Sequence, residues 1–162
     1  MDDAGTTRSG NGSAGGPDSL PLFILSPEQR DALALLASRA GWRPVGARSR
    51  ERAESRYLGS LARIALVDLR GLGAEEAVAL VGGLSPAVEA SGGAMLALVD
   101  DGGAPHVADL VAAGVTHLLD GEVTQARLAT ALRAADKLAE RLIGNLAAAR
   151  DRHAVQRSDA LF

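Results

Sequence analysis

The stretch Ile64-Ala-Leu-Val-Asp68-Leu-Arg-Gly71 decides how this chain is read. A short, continuous aliphatic run ends on one carboxylate and then on a turn. Such a run, bounded by glycine and without alternation, points to a strand buried on both faces, as in a parallel sheet with helices on each side. Ligand chemistry in such sheets collects at the carboxyl ends of the strands. Asp68 stands at that place, which makes its surroundings the first functional question.

Upstream, Leu20-Pro-Leu-Phe-Ile-Leu25 reads as a first strand, and Ser26-Pro-Glu-Gln29 as a helix start. Ser26 can accept from the amide three residues on, Pro27 suits a first helical position, and Gln29 can reach back to complete a capping box. The helix runs to about Ala40 with Leu33, Leu36, Ala37 and Ala40 on one face, and Gly41 stops it. Arg43-Pro-Val-Gly-Ala47 is a weak second strand, placed at an edge because Pro44 cannot donate to a ladder. Ser49 is expected to cap a polar helix through about Leu58.

Downstream of Asp68, residues 74–84 read as a helix containing Val78 and Val81 and ended by Gly82-Gly83, with 85–93 a loop or a broken extension. Ala94-Met-Leu-Ala-Leu-Val99 is another doubly buried strand. Asp100-Asp-Gly-Gly103 follows as a turn, without the oxygen repeat of an EF-hand or the Gly-Lys-Ser/Thr of a P-loop. Pro105 opens a helix to Ala113, Gly114 closes it, and Val115-Thr-His-Leu-Leu119 is a fifth strand. From about Val123 a helical pattern continues almost to Phe162. Five strands alternating with five helices imply parallel pairing with right-handed crossovers in a three-layer α/β domain. The expected strand order is 2-1-3-4-5.

Composition narrows the function classes. The 162 residues suffice for one domain with a real core. The net charge of -3, with Lys and Arg read as scattered, gives no electrostatic case for nucleic acid. Aromatics make up 2%, leaving little to stack on bases. No cysteine is present, hence no disulfide framework or thiolate site, and His106, His117 and His153 lie far apart. No apolar run approaches the roughly 20 residues of a membrane span, and the N-terminus is not a signal peptide. A cytoplasmic location is the resulting expectation. Residues 1–19 are rich in Gly, Ser, Thr and Asp, and are expected to be disordered.

The Asp68 strand resembles the third strand of the response-regulator (CheY-like) receiver domain, in which the Asp accepts a phosphoryl group. Ala112-Ala-Gly-Val-Thr-His-Leu-Leu119 resembles the approach to that family's fifth strand. The likeness covers about residues 20–142 in register and implies a flavodoxin/CheY-like (βα)5 sheet. It also implies partners for Asp68, because a transferring phosphoryl group needs Mg²⁺, further carboxylates, and cationic and hydroxyl donors. Where receivers carry an acidic pair after strand one, this chain has Ser26 and Pro27, with Glu28 the nearest acid. Val99 stands for the Ser or Thr after strand four, Gly121-Glu122 for the Lys-Pro pair, and Leu118 for the aromatic of strand five. Of these positions only Asp68 matches. The reading is therefore a degenerate receiver, or pseudo-receiver, that needs no cofactor.

The final helix is the second informative feature. Leu132, Ala135, Ala139, Leu142, Leu146, Ala149 and His153 follow a 4-3 spacing over about three heptads, with most charges off that seam. A lone receiver needs this helix only to about Leu142. The remainder, residues 143–162, is expected to form a coiled-coil linker and a parallel homodimer, leading toward an output domain beyond this chain. In the family such helices lead to diguanylate cyclase, cyclic-di-GMP phosphodiesterase or kinase modules. The leading expectation is a non-enzymatic signal-transduction module with no nucleic-acid or membrane partner. Two other readings stand beside it: a phosphorylation-controlled receiver using Asp68, with Glu28 or Asp100 recruited to Mg²⁺, and a small-ligand or nucleotide-binding α/β domain.

Overall fold

The aliphatic runs assemble into one sheet. In a computed structural model, which describes residues 19–102 and 106–159 and side chains as far as residue 155, the strands are β1 (Pro21–Leu25), β2 (Arg43–Ala47), β3 (Ile64–Asp68), β4 (Ala94–Val99) and β5 (His117–Asp120). All neighbours pair in parallel, in the order β2-β1-β3-β4-β5. The connecting helices are α1 (Arg30–Arg39), α2 (Ala53–Ser60), α3 (Ala74–Ala90), α4 (Val107–Ala113) and α5 (Gln125–Asp159). Every residue of β3 and β4 is buried. That double coverage is the reason these strands show no polar alternation.

Side-chain direction alternates along each strand, so the sheet builds two cores. On one face Phe23, Val67 and Met95 pack with Tyr57 of α2, Val81 and Leu84 of α3 and Leu110 of α4. The rings of Phe23 and Tyr57 meet edge to face at 5.7 Å between centroids. On the other face Ile24, Leu66 and Leu96 pack with Leu33 and Ala37 of α1 and with Leu128 and Leu132 of α5. Leu36 and Ala40 complete the α1 face as half-buried neighbours.

Several local expectations are corrected. The third helix does not end at Gly82-Gly83 but runs on through Pro86 to Ala90. Gly82, Gly83 and Pro86 all lie on its exposed face, where water can take the carbonyl that Pro86 leaves unbonded, while Leu84, Ala87 and Val88 are buried and hold the turn in place. Gln29 does not complete a capping box. Its side chain accepts from Arg70 Nη2 at 3.3 Å, and the Ser26 amide instead donates to Ala47 O at 3.2 Å. Ser49 is not a helix cap either; its hydroxyl accepts from the Glu51 amide at 3.1 Å, and α2 begins only at Ala53.

The expected dimer seam is divided. Leu132, Ala135 and Ala139 are fully buried against the sheet of their own domain, so they are core residues and not interface residues. Leu142 is half-buried, whereas Leu146 and Ala149 are exposed. The stretch expected to be disordered, Ser19 apart, and Pro105 lie outside the described residues.

Candidate functional site

Asp68 is the last residue of β3, next to the point where the sheet changes direction between β1 and β3. The residue is only 5% exposed, and its carboxylate takes four donors. Oδ1 accepts from Arg70 Nε at 2.8 Å and from the Arg70 amide at 3.2 Å. Oδ2 accepts from the Ser26 hydroxyl at 2.8 Å and from Arg70 Nη2 at 3.1 Å. A carboxylate offers about four lone-pair directions in all. Those of Asp68 are fully subscribed within the chain.

The local backbone explains why. Leu69 to Leu72 form a tight turn directly after the strand, with the Leu72 amide donating to Leu69 O at 3.2 Å. That turn folds Arg70 back over the carboxylate two residues before it. Ser26, fully buried at the end of β1, accepts from the Gln29 amide at 3.0 Å, as its spacing suggests, and turns its proton toward Asp68. Charge assistance makes the pair with Arg70 one of the stronger contacts a side chain can form. The bond to Asp68, with the fields of Asp68 and Asp100, raises the Arg70 pKa above its ordinary value, although burial opposes it.

The other family positions stand apart from this lock. Asp100 is exposed, and its Oδ2 accepts from the Gly71 amide at 3.0 Å, tying the loop after β4 to the loop after β3. Glu28 is exposed on the turn before α1. Pro27 is exposed too, and Val99 is buried at the tip of β4 with no hydroxyl to offer. Leu118 is a half-buried neighbour of the first core. Gly121 takes φ +70°, and the cation nearest it is Arg127, which donates to Glu122 O at 2.6 Å and pairs with Asp120 at 3.4 Å. Arg127 thus folds onto its own loop. Among the described residues no group of three His, Asp or Glu side chains is placed to hold a metal ion. With both oxygens of Asp68 occupied and neutral residues at Ser26 and Pro27, these side chains do not fit a Mg²⁺ site.

His117 is half-buried in β5 near the Thr116 hydroxyl, and burial holds its pKa below the ordinary imidazole value. His106 and His153 lie far from it in the chain, and nothing joins the three. Two features escaped the sequence reading. Arg70 as the partner of Asp68 was signalled only by a cation two residues beyond a strand-end carboxylate. The arginines, read as scattered, in fact gather around β2 and α2, where Arg30, Arg48, Arg52 and Arg56 line one groove.

The topology and the placement of Asp68 define the CheY-like receiver fold. No protein-family model matches the chain, and no curated protein does. Solved structures do, and most of the similar ones are receiver domains. A receiver domain protein of Clostridium thermocellum is 14% identical with a TM-score of 0.63, over 76% of this chain and 98% of that one. The signal receiver domain of a modulated diguanylate cyclase from Desulfovibrio desulfuricans is 16% identical with a TM-score of 0.62, over 76% and 98%. A protein of Burkholderia pseudomallei described as pilus assembly-related is 22% identical with a TM-score of 0.61, over 74% and 90%.

Proposed function

We propose that this chain is a non-enzymatic signal-transduction module of the cytoplasm, a receiver-fold domain that regulates or dimerises an attached output domain without phosphorylation of Asp68. The saturated carboxylate carries this reading. Attack on a phosphoryl donor needs a free carboxylate oxygen, and freeing either one here breaks a charge-assisted contact. No bound cofactor is part of the proposal.

The Desulfovibrio desulfuricans neighbour supports an output of the cyclase kind, since its receiver belongs to a diguanylate cyclase. A second setting, within a pilus assembly system, is favoured by the higher identity of the Burkholderia pseudomallei neighbour. The outer part of α5, with Leu142, Leu146 and Ala149, is proposed as the homodimer contact. Incubation with acetyl phosphate and Mg²⁺, followed by intact-mass analysis, is expected to leave the chain unmodified. A phosphoryl adduct mapped to Asp68 would overturn the proposal.

A further inference from the structure

We propose that the groove between α1, β2 and the start of α2 binds a multiply charged, phosphate-bearing small molecule. Arg30, Arg48, Arg52 and Arg56 line this cleft of about 450 Å³ together with Gly46 and Glu51. Its size falls in the range of ordinary small-molecule sites. It shares no residue with the Asp68 lock, so the proposal stands whether or not that carboxylate is ever phosphorylated.

The charge balance comes first. Four guanidinium groups face two carboxylates, Glu51 in the lining and Asp31 on the rim. Asp31 accepts from Arg48 Nη2 at 2.7 Å and stands 3.5 Å from Arg30 Nη1. Arg52 makes no ion pair among the described residues, and Arg56 reaches only the Gly46 carbonyl, at 3.5 Å. The groove therefore keeps a positive excess on a chain whose net charge is -3. Planar guanidinium forks take phosphate oxygens in pairs, which is the chemistry a convergent set of arginines serves best.

The second observation is that the groove is built around a glycine. The Arg30 side chain lies across β2 at Gly46, where a Cβ would stand 3.0 Å from Arg30 Cδ and overlap Nε. Glycine inside a strand weakens it, and close approach of another group is one of the few reasons to keep one there. Pressed down in this way, Arg30 Nε is buried and finds no hydrogen-bond partner. A buried donor without an acceptor is costly, while the rest of the Arg30 side chain stays 36% exposed at the groove. The backbone at Arg52 also adopts φ +60°, a left-handed conformation uncommon for a side-chain-bearing residue.

The ligand class follows from what the groove contains. No aromatic ring lines it, so a nucleobase finds no stacking surface, and recognition rests on phosphate oxygens. Inorganic pyrophosphate and ADP are the probes, titrated calorimetrically into the full chain near physiological salt. Saturable binding is expected with Kd below about 1 mM. The Arg52→Gln/Arg56→Gln pair is expected to weaken it at least about tenfold without moving the melting temperature. Gly46→Ala, which displaces Arg30, is expected to weaken it likewise, while Arg133→Gln/Arg141→Gln on α5 leaves it unchanged. Equal affinity for both probes assigns the site to the phosphate chain alone, and tighter ADP binding assigns it to a nucleotide. Absence of saturable binding, equal loss in the α5 pair, or binding confined to a single-stranded oligonucleotide overturns the proposal.

Discussion

The two halves of α5 carry the same apolar spacing and meet opposite fates. Over the first half Leu128, Leu132, Ala135 and Ala139 are fully buried, whereas in the second Leu146 is 50% exposed and Ala149 is exposed as well. Geometry accounts for the split. A five-residue strand is about 17 Å long, while a helix of 35 residues extends about 52 Å. The sheet is too short to cover the helix it supports. A repeating apolar stripe thus reports that a face needs covering, and the surrounding fold decides whether the same domain or another surface does it.

That contrast can be broken in order of expected effect. Leu132→Ala should cost about 2–5 kcal/mol in urea unfolding, because it empties a site closed on all sides. Removing everything after Leu142 should halve the mass seen by light scattering while the domain still unfolds cooperatively. A monomer both before and after truncation would end the dimer proposal. Gly144→Ala should raise stability by about 0.5–1 kcal/mol, since beyond the neighbouring helix backbone nothing lies within 4 Å of the added methyl and helix propensity improves. Leu146→Ala should change monomer stability by less than about 0.5 kcal/mol, so a larger loss at high protein concentration would itself locate the interface.

The fold was legible because its signals are local and mutually consistent. Unbroken aliphatic runs marked β3 and β4, Pro44 marked an edge, and alternation with helical stretches implied parallel order. The extent of α3 was not legible. Gly82, Gly83 and Pro86 look like breakers one by one, and only the packed fold shows that all three face water. Asp68 was found from its place at a strand end, but its partners were not. Ser26 had been read as a lost acid, and its hydroxyl turns out to hold the carboxylate. Arg70 was not legible because a residue two positions past a strand end meets the carboxylate only when the intervening turn folds it back. The arginine groove was missed for a related reason: Arg48, Arg52 and Arg56 are near neighbours in sequence, but Arg30 joins them only when α1 lies over β2.

The rims of the sheet bear on how copies of this molecule can meet. On β2 the Arg43 amide donates inward to Leu20 O at 2.9 Å, so the nitrogen of Pro44 faces the open side with no proton to offer. At the far rim β5 is only four residues long and ends on Asp120, which is paired with Arg127. Neither border gives an incoming strand a continuous row of donors and acceptors to zip onto. Association by extending the β-structure, the usual route to fibres, is thereby disfavoured. Helical and side-chain surfaces are the better places for copies to meet.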